Sequence, residues 1–588
     1  MNWDDRLKRF LAAMDGLYDG RESLLCVDSS GRGYHTRVNG MAHPTRQSMA
    51  YASLLFYAGE QMERAEKIAL RIADLQDSDP DSDTYGLWSY FLEEPLSQMD
   101  APDYNWADFI GSQLIYILKC HSKNLAPETA ERLKAALSRA LVCDRKRNVS
   151  YDYTNICLMG SFLQIAGGEV LGDGEAFSCG KERLLGFLEY TRVCGSFSEY
   201  NSSAYSVIAL EEISRMLLLF EDAQCRVMAQ ELNRYGWLAL ADHYSLSLGE
   251  LCPPQKRCYT DFDVRKESYG DMRDINAGTV HSFIYLATDG EVACLATDDA
   301  VSMEWLILEP QCPPEVAKRF LPPEGERFFC QTYYKQNDLR KPGSDRVIVR
   351  ELDSPDLAAY SYLTPGYIMG AFRETDLWNQ RRTGMVYWKN RLGKASLRLR
   401  ALHDGRDFCG AVAFTAMDKN VMLTNLGLVS DHGDFHYILD PLADGVLRAR
   451  QLVFCLETAG NTDEVCIEQN GNSFEITDRD FHMGITVQNP LFDGVPCLVR
   501  VDSEKKYAEI VLYEGEEREF DLKSLGACAA TILLVADCKG TIPAVSVNSH
   551  GGMRTASACG LAVSSHEDVM DYATAIKESK AMNYKFKE

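Results

Sequence analysis

Four stretches in the first third of the chain interrupt apolar surroundings with aromatic, amide and carboxyl side chains. Tyr85-Gly86-Leu87-Trp88-Ser89-Tyr90 runs into Glu93-Glu94-Pro95, and Asp103-Tyr104-Asn105-Trp106-Ala107-Asp108 follows closely. The third is Tyr151-Asp152-Tyr153-Thr154-Asn155, and the fourth runs from Gly195 through Glu199-Tyr200-Asn201 to Tyr205. Aromatic faces stack on the apolar faces of sugar rings, while carboxylates and amides take up hydroxyls, so tryptophan beside acid suits a saccharide. Trp88, Asn105, Trp106, Asp108, Glu199, Tyr200 and Asn201 are candidates for such contacts. Each stretch also has a plainer reading: a buried tryptophan, a capping Asp108, or an N-cap at Thr154 or Asn155.

The elements that must position these residues are helices. Apolar residues recur at helical spacing in Ser48–Ala58, Ala65–Leu75, Phe109–Leu118 and Ala130–Val142. The pattern continues in Ile156–Ala166, Glu182–Tyr190, Ala204–Phe220 and Cys225–Ala241. Turn chemistry such as Asp77-Ser78-Asp79-Pro80 separates them. A long series of helix pairs must close its apolar edges as an open solenoid or a ring, and no repeating motif favours the solenoid. The four clusters fall at helix ends, so a ring gathers them at one mouth.

After about residue 275 the period changes to two. Strand-like runs are expected at His281–Ala287, Phe328–Tyr334, Val347–Leu352, Met385–Lys389, Ser396–Leu402, Ala411–Ala416, Gln451–Leu456, Ala508–Tyr513 and Ala530–Ala536. A helix is expected at Pro313–Leu321. The predicted fold is therefore a multidomain α-then-β chain. It comprises an (α/α) toroid over 1–250, a connecting segment with the first sandwich strands over 251–325, and an antiparallel β-sandwich over 326–588.

The net charge of −25 excludes a nucleic-acid partner, because phosphate binding needs a basic face. An acidic substrate then requires local cations such as Arg145-Lys146-Arg147 or Arg381-Arg382. No run of about 18 apolar residues is present, so no membrane span is expected. The N-terminus carries charge where a leader needs an apolar run, which points to the cytoplasm. The 19 cysteines include no CxxC pair, and Cys157 and Cys528 sit in apolar runs, as reduced thiols do. No metal or cofactor is expected, and the oligomeric state is left open, a homo-oligomer included.

Residues 195–205 resemble, with one extra residue, a loop of the heparinase II/III-like and alginate-lyase-like polysaccharide lyases. That loop, Gly-Xaa-aromatic-Xaa-Glu-(Gly/Asn)-(Ser/Pro)-Xaa-Xaa-Tyr, opens a helix and delivers a catalytic tyrosine. The resemblance makes Tyr205 that tyrosine. Asn155 resembles the asparagine that neutralises the uronate carboxylate in those families. The toroid-then-sandwich order also resembles theirs. Trp378-Asn379-Gln380-Arg381-Arg382 is similar to sandwich segments of lyase-like proteins, which brings Trp378 and Arg381 toward one cleft wall. The chain departs from the pattern in histidine: Ile156 follows Asn155, and His35, His43, His121 and His243 lie in no matching motif. His281 is the expected substitute. Pro254-Gln255-Lys256-Arg257-Cys258-Tyr259 stands where a histidine loop is expected, and it contributes Arg257 and Tyr259 as candidates.

The chemistry this implies is β-elimination next to a uronic acid. Asn155, helped by Arg257, would stabilise the enediolate-like charge, and Tyr205 would take the C5 proton and protonate the leaving oxygen. The expected substrate is a short acidic oligosaccharide within the cell. Three alternatives stay open. A glycoside hydrolase on the same ring would use a carboxylate pair drawn from Glu93, Glu94, Asp108 and Glu199. A uronate C5-epimerase begins with the same proton abstraction. A non-catalytic sugar-binding protein would keep only the shape.

Overall fold

The computed structural model describes residues 3–30, 35–262, 280–288, 302–322, 324–334, 357–434, 440–538 and 541–583. The expected strand at Val347–Leu352 lies outside them.

Nine helices open the described chain: α1 (Trp3–Leu17), α2 (Thr45–Ala58), α3 (Met62–Asp74), α4 (Asn105–Cys120), α5 (Pro127–Arg147), α6 (Thr154–Leu171), α7 (Gly174–Cys194), α8 (Tyr205–Leu219) and α9 (Ala223–His243). All eight helices read from periodicity are present, and α1 precedes them unannounced. Short links turn α3 back on α2, α5 on α4, α7 on α6 and α9 on α8, so α2, α4, α6 and α8 form an inner layer and α3, α5, α7 and α9 an outer one. The inner helices are the more apolar. In α6 every residue from Thr154 to Gly168 is buried, and α7 leans close enough that a Cβ at Gly160 would meet Arg183 Nη1 at 2.3 Å.

Three further short helices follow: α10 (Val280–Ala287), α11 (Met303–Leu308) and α12 (Pro314–Ala317), the last continuing as a 3-10 turn over Lys318–Phe320. The expected strand at His281–Ala287 is thus corrected to a helix. Its faces explain this, since Phe283 stacks on Trp237 of α9 at 5.2 Å and meets Trp305 of α11 at 4.9 Å. A helix turns those apolar residues to one side, which alternation cannot do. α11 packs against both α8 and α2, so the inner series closes on itself as a ring.

The rest is antiparallel sheet. One sheet runs in the order Glu374–Asp376, Ala411–Asp418, Val421–Leu428, Ala529–Ala536, Phe481–Phe492, Ser473–Asp478 and Cys466–Asn470. The other runs Leu498–Asp502, Tyr507–Asp521, Val446–Gly460, Gly393–His403, Met385–Asn390, Tyr367–Phe372, Leu357–Leu363 and Arg327–Tyr334. Trp388, Leu397, Phe454, Ile485, Ile510 and Leu534 are among the residues filling the space between them. The expected order, helical ring then antiparallel sandwich, is the order of the structure. A three-stranded sheet (Ser546–His550, Met553–Ala558, Leu561–His566) and helix α13 (Tyr572–Asn583) end the described chain beyond it.

The ring and the sandwich meet along a strap, residues 255–258. Lys256 N–H donates to Tyr200 O at 3.0 Å, while Gln255 and Arg382 exchange backbone bonds at 2.9 Å and Cys258 N–H donates to Gln380 O at 2.7 Å. The strap is therefore bonded to the ring on one side and to the sandwich on the other, and it carries Arg257 at the seam.

Candidate active site

The loop before α8 and the start of α6 satisfy one another. Glu199 Oε2 accepts from Asn155 N–H at 3.0 Å, and Thr154 Oγ1 accepts from Glu199 N–H at 3.1 Å. A carboxylate at a helix N-terminus is favoured by the exposed N–H groups and the helix dipole. The cap on α6 thus comes from Glu199, so neither Thr154 nor Asn155 is its N-cap residue. The Asn155 side chain is left over for another purpose. It is buried, and its Nδ2 has no hydrogen-bond partner among the described residues.

Arg257 reaches the same place from the strap. Its Nη1 donates to Glu199 Oε1 at 3.0 Å, its Nε to Gln380 Oε1 at 3.3 Å, and its Nη2 to Tyr259 Oη at 3.4 Å. The guanidinium stands 4.1 Å from the centre of the Tyr205 ring, with the Trp378 ring behind it at 5.8 Å. Tyr205 begins α8, capped through its N–H by Ser202 Oγ at 3.0 Å, and its hydroxyl lies 2.5 Å from that of Tyr259. A guanidinium and two phenols therefore converge beside Glu199, which also holds the backbone N–H of Asn155 at the start of α6.

Burial pushes the Tyr205 phenol well above its ordinary range. Arg257 acts against that rise, while Tyr259 and Glu199 add to it. Burial also raises Glu199, opposed by Arg257 and by the Asn155 N–H. Lys256 is lowered to about 8, chiefly by burial, with Arg381 and Arg257 repelling its charge and Asp152 and Glu199 supporting it.

The chain of contacts continues past Tyr153. Its hydroxyl accepts from Asn105 Nδ2 at 3.2 Å, Asn105 Oδ1 accepts from Arg147, and the Arg147 guanidinium lies 5.7 Å from the Tyr153 ring. Arg257, Glu199 and Arg147 all act electrostatically on Tyr153, so the phenol joins the two halves of the mouth. Tyr153, Arg147 and Gln380 lie in stretches the sequence singled out, but none of the three was expected individually as a site residue. Connectivity is the signal that points to Arg147 and Tyr153, since an outer helix ends at the mouth where the next inner helix starts. α5 ends at Arg147 and α6 begins at Thr154.

Asn105, Asn155, Glu199, Tyr205, Arg257 and Tyr259 are thus brought together. The side chains of several other expected contact residues are taken up elsewhere in the structure. Trp88 is fully buried and donates to Ile72 O at 2.7 Å. Trp106 lies under Tyr90, ring centres 3.8 Å apart, and donates to Thr45 Oγ1. Asp108 is buried 3.9 Å from Arg147, with its pKa raised by burial and by Asp144. Tyr200 is buried with its hydroxyl 2.9 Å from His243 Nε2 and 2.7 Å from Gln331 Oε1. Asn201 Nδ2 holds the Cys252 and Pro254 carbonyls. Arg381 is locked on Asp376 at 2.5 and 2.9 Å, and Trp378 is a buried backing for Arg257 rather than a cleft wall. His281 sits on α10 with Nδ1 2.5 Å from Tyr244 Oη and Gly249 beside it, so the group at the mouth is assembled without it.

Residues 5–269 match the model of a domain of unknown function (DUF8769). No curated protein matches the sequence. Among solved structures, the chain is similar to the chondroitin AC lyase of Streptomyces coelicolor A3 in complex with chondroitin sulphate. The identity is 8% and the TM-score 0.43, over 96% of this chain and 84% of that one. It is also similar to a heparinase III (9% identity, TM-score 0.32, 96% of this chain and 90% of that one). A third is the heparan sulfate lyase HepC mutant from Pedobacter heparinus (9% identity, TM-score 0.33, 89% of this chain and 82% of that one).

Proposed function

We propose that the protein is a lyase that cleaves a short uronic-acid-containing oligosaccharide by β-elimination. The observation that carries this reading is the buried Asn155 amide. Its Nδ2 lacks a hydrogen-bond partner among the described residues, and its own N–H and the cation Arg257 are both held by Glu199. A buried donor without an acceptor costs about 1–3 kcal/mol, and a ligand that supplies the acceptor is one way that cost is offset. A uronate carboxylate supplies one, and the charge it gains when C5 loses its proton strengthens the bond in the transition state. Arg257 adds a cation to this corner of an acidic protein.

Tyr205 supplies the proton chemistry. Its hydroxyl is polar, hydrogen-bonded and adjacent to Arg257, as an acid toward a leaving glycosidic oxygen needs. The aromatic and amide groups of Tyr153 and Asn105 suit a neighbouring sugar ring. An intracellular setting is part of the proposal. It is supported by buried free cysteines such as Cys157, which suit a reducing compartment.

The hydrolase alternative needs two carboxylates facing each other across a bond. Glu199 has one oxygen on Arg257 and the other on the Asn155 N–H. Glu94 holds Thr36 and Arg37 N–H, Glu93 holds His43, and Asp108 is buried. That arrangement favours elimination. Incubation with uronate oligosaccharides should give the ultraviolet absorbance of a 4,5-unsaturated product. New reducing ends without that absorbance would replace elimination with hydrolysis.

A further inference from the structure

Tyr205 and Tyr259 approach each other from the two sides of the seam, one opening α8 and the other following the strap. Their oxygens are 2.5 Å apart. That separation falls at the short end for O–H···O contacts, so one phenol donates directly to the other. Arg257 serves both rings, donating to Tyr259 Oη at 3.4 Å and lying 4.1 Å from the Tyr205 ring. The other titratable groups acting on this corner are Glu199, which is bonded to Arg257, and Tyr153, which feels both charges. Tyr259 is 57% exposed, so the pair opens to solvent on that side.

We propose that Tyr259 is the proton-sharing partner of Tyr205. The two phenols give up one proton to solvent through Tyr259 and hold the other between their oxygens, with Arg257 balancing the charge. Two acids this close titrate as a pair: the first proton leaves more easily because the remaining one bridges, and the second leaves with difficulty. Burial, the largest cause, and Glu199 hold the Tyr205 phenol high whatever the state of Tyr259, and Tyr259 adds to that rise while it carries the charge. With the proton on Tyr259, the same contact favours the Tyr205 anion.

The catalytic use of this pair rests on the elimination reading above. In the reactive form the Tyr259 O–H donates to the Tyr205 phenolate. The Tyr205 oxygen binds the C5 proton as the C5–H electron pair moves toward the carboxylate held by Asn155. That pair then forms the C4–C5 double bond, the C4–O bond breaks with its electrons, and the same proton passes from Tyr205 to the departing oxygen. The pair ends with one proton, as it began, and no co-reactant enters. Tyr259 touches no reacting atom, so it is a positioning residue.

The sharing itself needs no substrate, which makes it testable alone. Tyrosinate absorbance is titrated in the wild-type protein, in Tyr259→Phe and in Tyr205→Phe. The wild type should show a tyrosine step that depends on both residues. Tyr259→Phe should move that step up by roughly one to two pH units, the worth of a hydrogen bond to an anion. Tyr205→Phe should remove it. Superimposable curves for wild type and Tyr259→Phe would overturn the pairing. On a uronate oligosaccharide, the acid limb of the Tyr259→Phe pH–rate profile should shift upward with turnover recovered at high pH. A uniform loss at every pH would point to a structural role and overturn the proposal. Absence of elimination in the wild type would remove the functional reading, while the spectral titration would still decide the pair.

Discussion

Asn155→Ala separates what this amide does for the fold from what it does for the reaction. The helix cap survives the change, because Glu199 takes the backbone N–H of residue 155 rather than its side chain. Truncation removes a buried donor that has no partner among the described residues, which relieves about 1–3 kcal/mol. It also leaves a small cavity and loses some packing, a cost of similar size in a position this buried. The two effects oppose, so the net change in stability should stay within about 1 kcal/mol, a shift of a few degrees in Tm at most. Turnover should respond very differently. Losing one donor to a developing oxyanion costs about 10²–10³ in rate, or roughly 2.7–4 kcal/mol. The assay pairs thermal melting with the ultraviolet rate of unsaturated product formation at saturating oligosaccharide. A variant that melts like the wild type and turns over at least 100-fold more slowly supports the argument. Near wild-type turnover would refute it, and so would a loss of several kcal/mol of stability, since Asn155 would then be holding the structure.

Tyr205→Phe keeps the ring beside Arg257 and removes only the hydroxyl, so activity should fall roughly 100-fold or more with the circular dichroism unchanged. Arg257→Met strands the buried Glu199 carboxylate, and breaking such a pair costs about 3–5 kcal/mol. Glu199 would then gain a proton more readily, so the destabilisation measured by denaturant melts should shrink as pH falls. Glu211 of α8, bonded to Trp305 Nε1 at 2.9 Å, is raised to about 8 by burial and by Glu304 and Glu212. Its folded pKa exceeds the unfolded value of 4.5, so between pH 4.5 and 8 the folded state binds the extra proton and stability falls as pH rises. Glu211→Gln should flatten that slope in urea melts at pH 5 and 8, and an unchanged slope would exclude Glu211 as its source.

Periodicity made the ring's main helices legible because each long inner and outer helix carries its own apolar face. It failed at Val280–Ala287, where eight residues are too few to distinguish a buried helix from a strand, and where the deciding contacts are to Trp237 and Trp305. The site divided along a similar line. Asn155, Tyr205, Arg257, Glu199, Asn105 and Tyr259 were recognisable because they sit at element ends, where polar residues break an apolar pattern. Tyr200, Asn201 and Asp108 sit near element ends too, with Trp88 and Arg381 in links, and the side chains of all five are held within the fold. Local composition cannot separate these classes, because an amide that binds a carbonyl and one that awaits a ligand look the same in one dimension. The difference between Asn201 and Asn155 is a partner supplied about fifty residues away: the strap offers carbonyls to the first, and nothing described offers an acceptor to the second. A buried polar group is therefore most informative once every neighbour that could satisfy it has been placed, and by that measure Asn155 is one of the residues at this mouth, with Gln255 and Asp108, whose side chains keep a buried polar atom without a partner among the described residues.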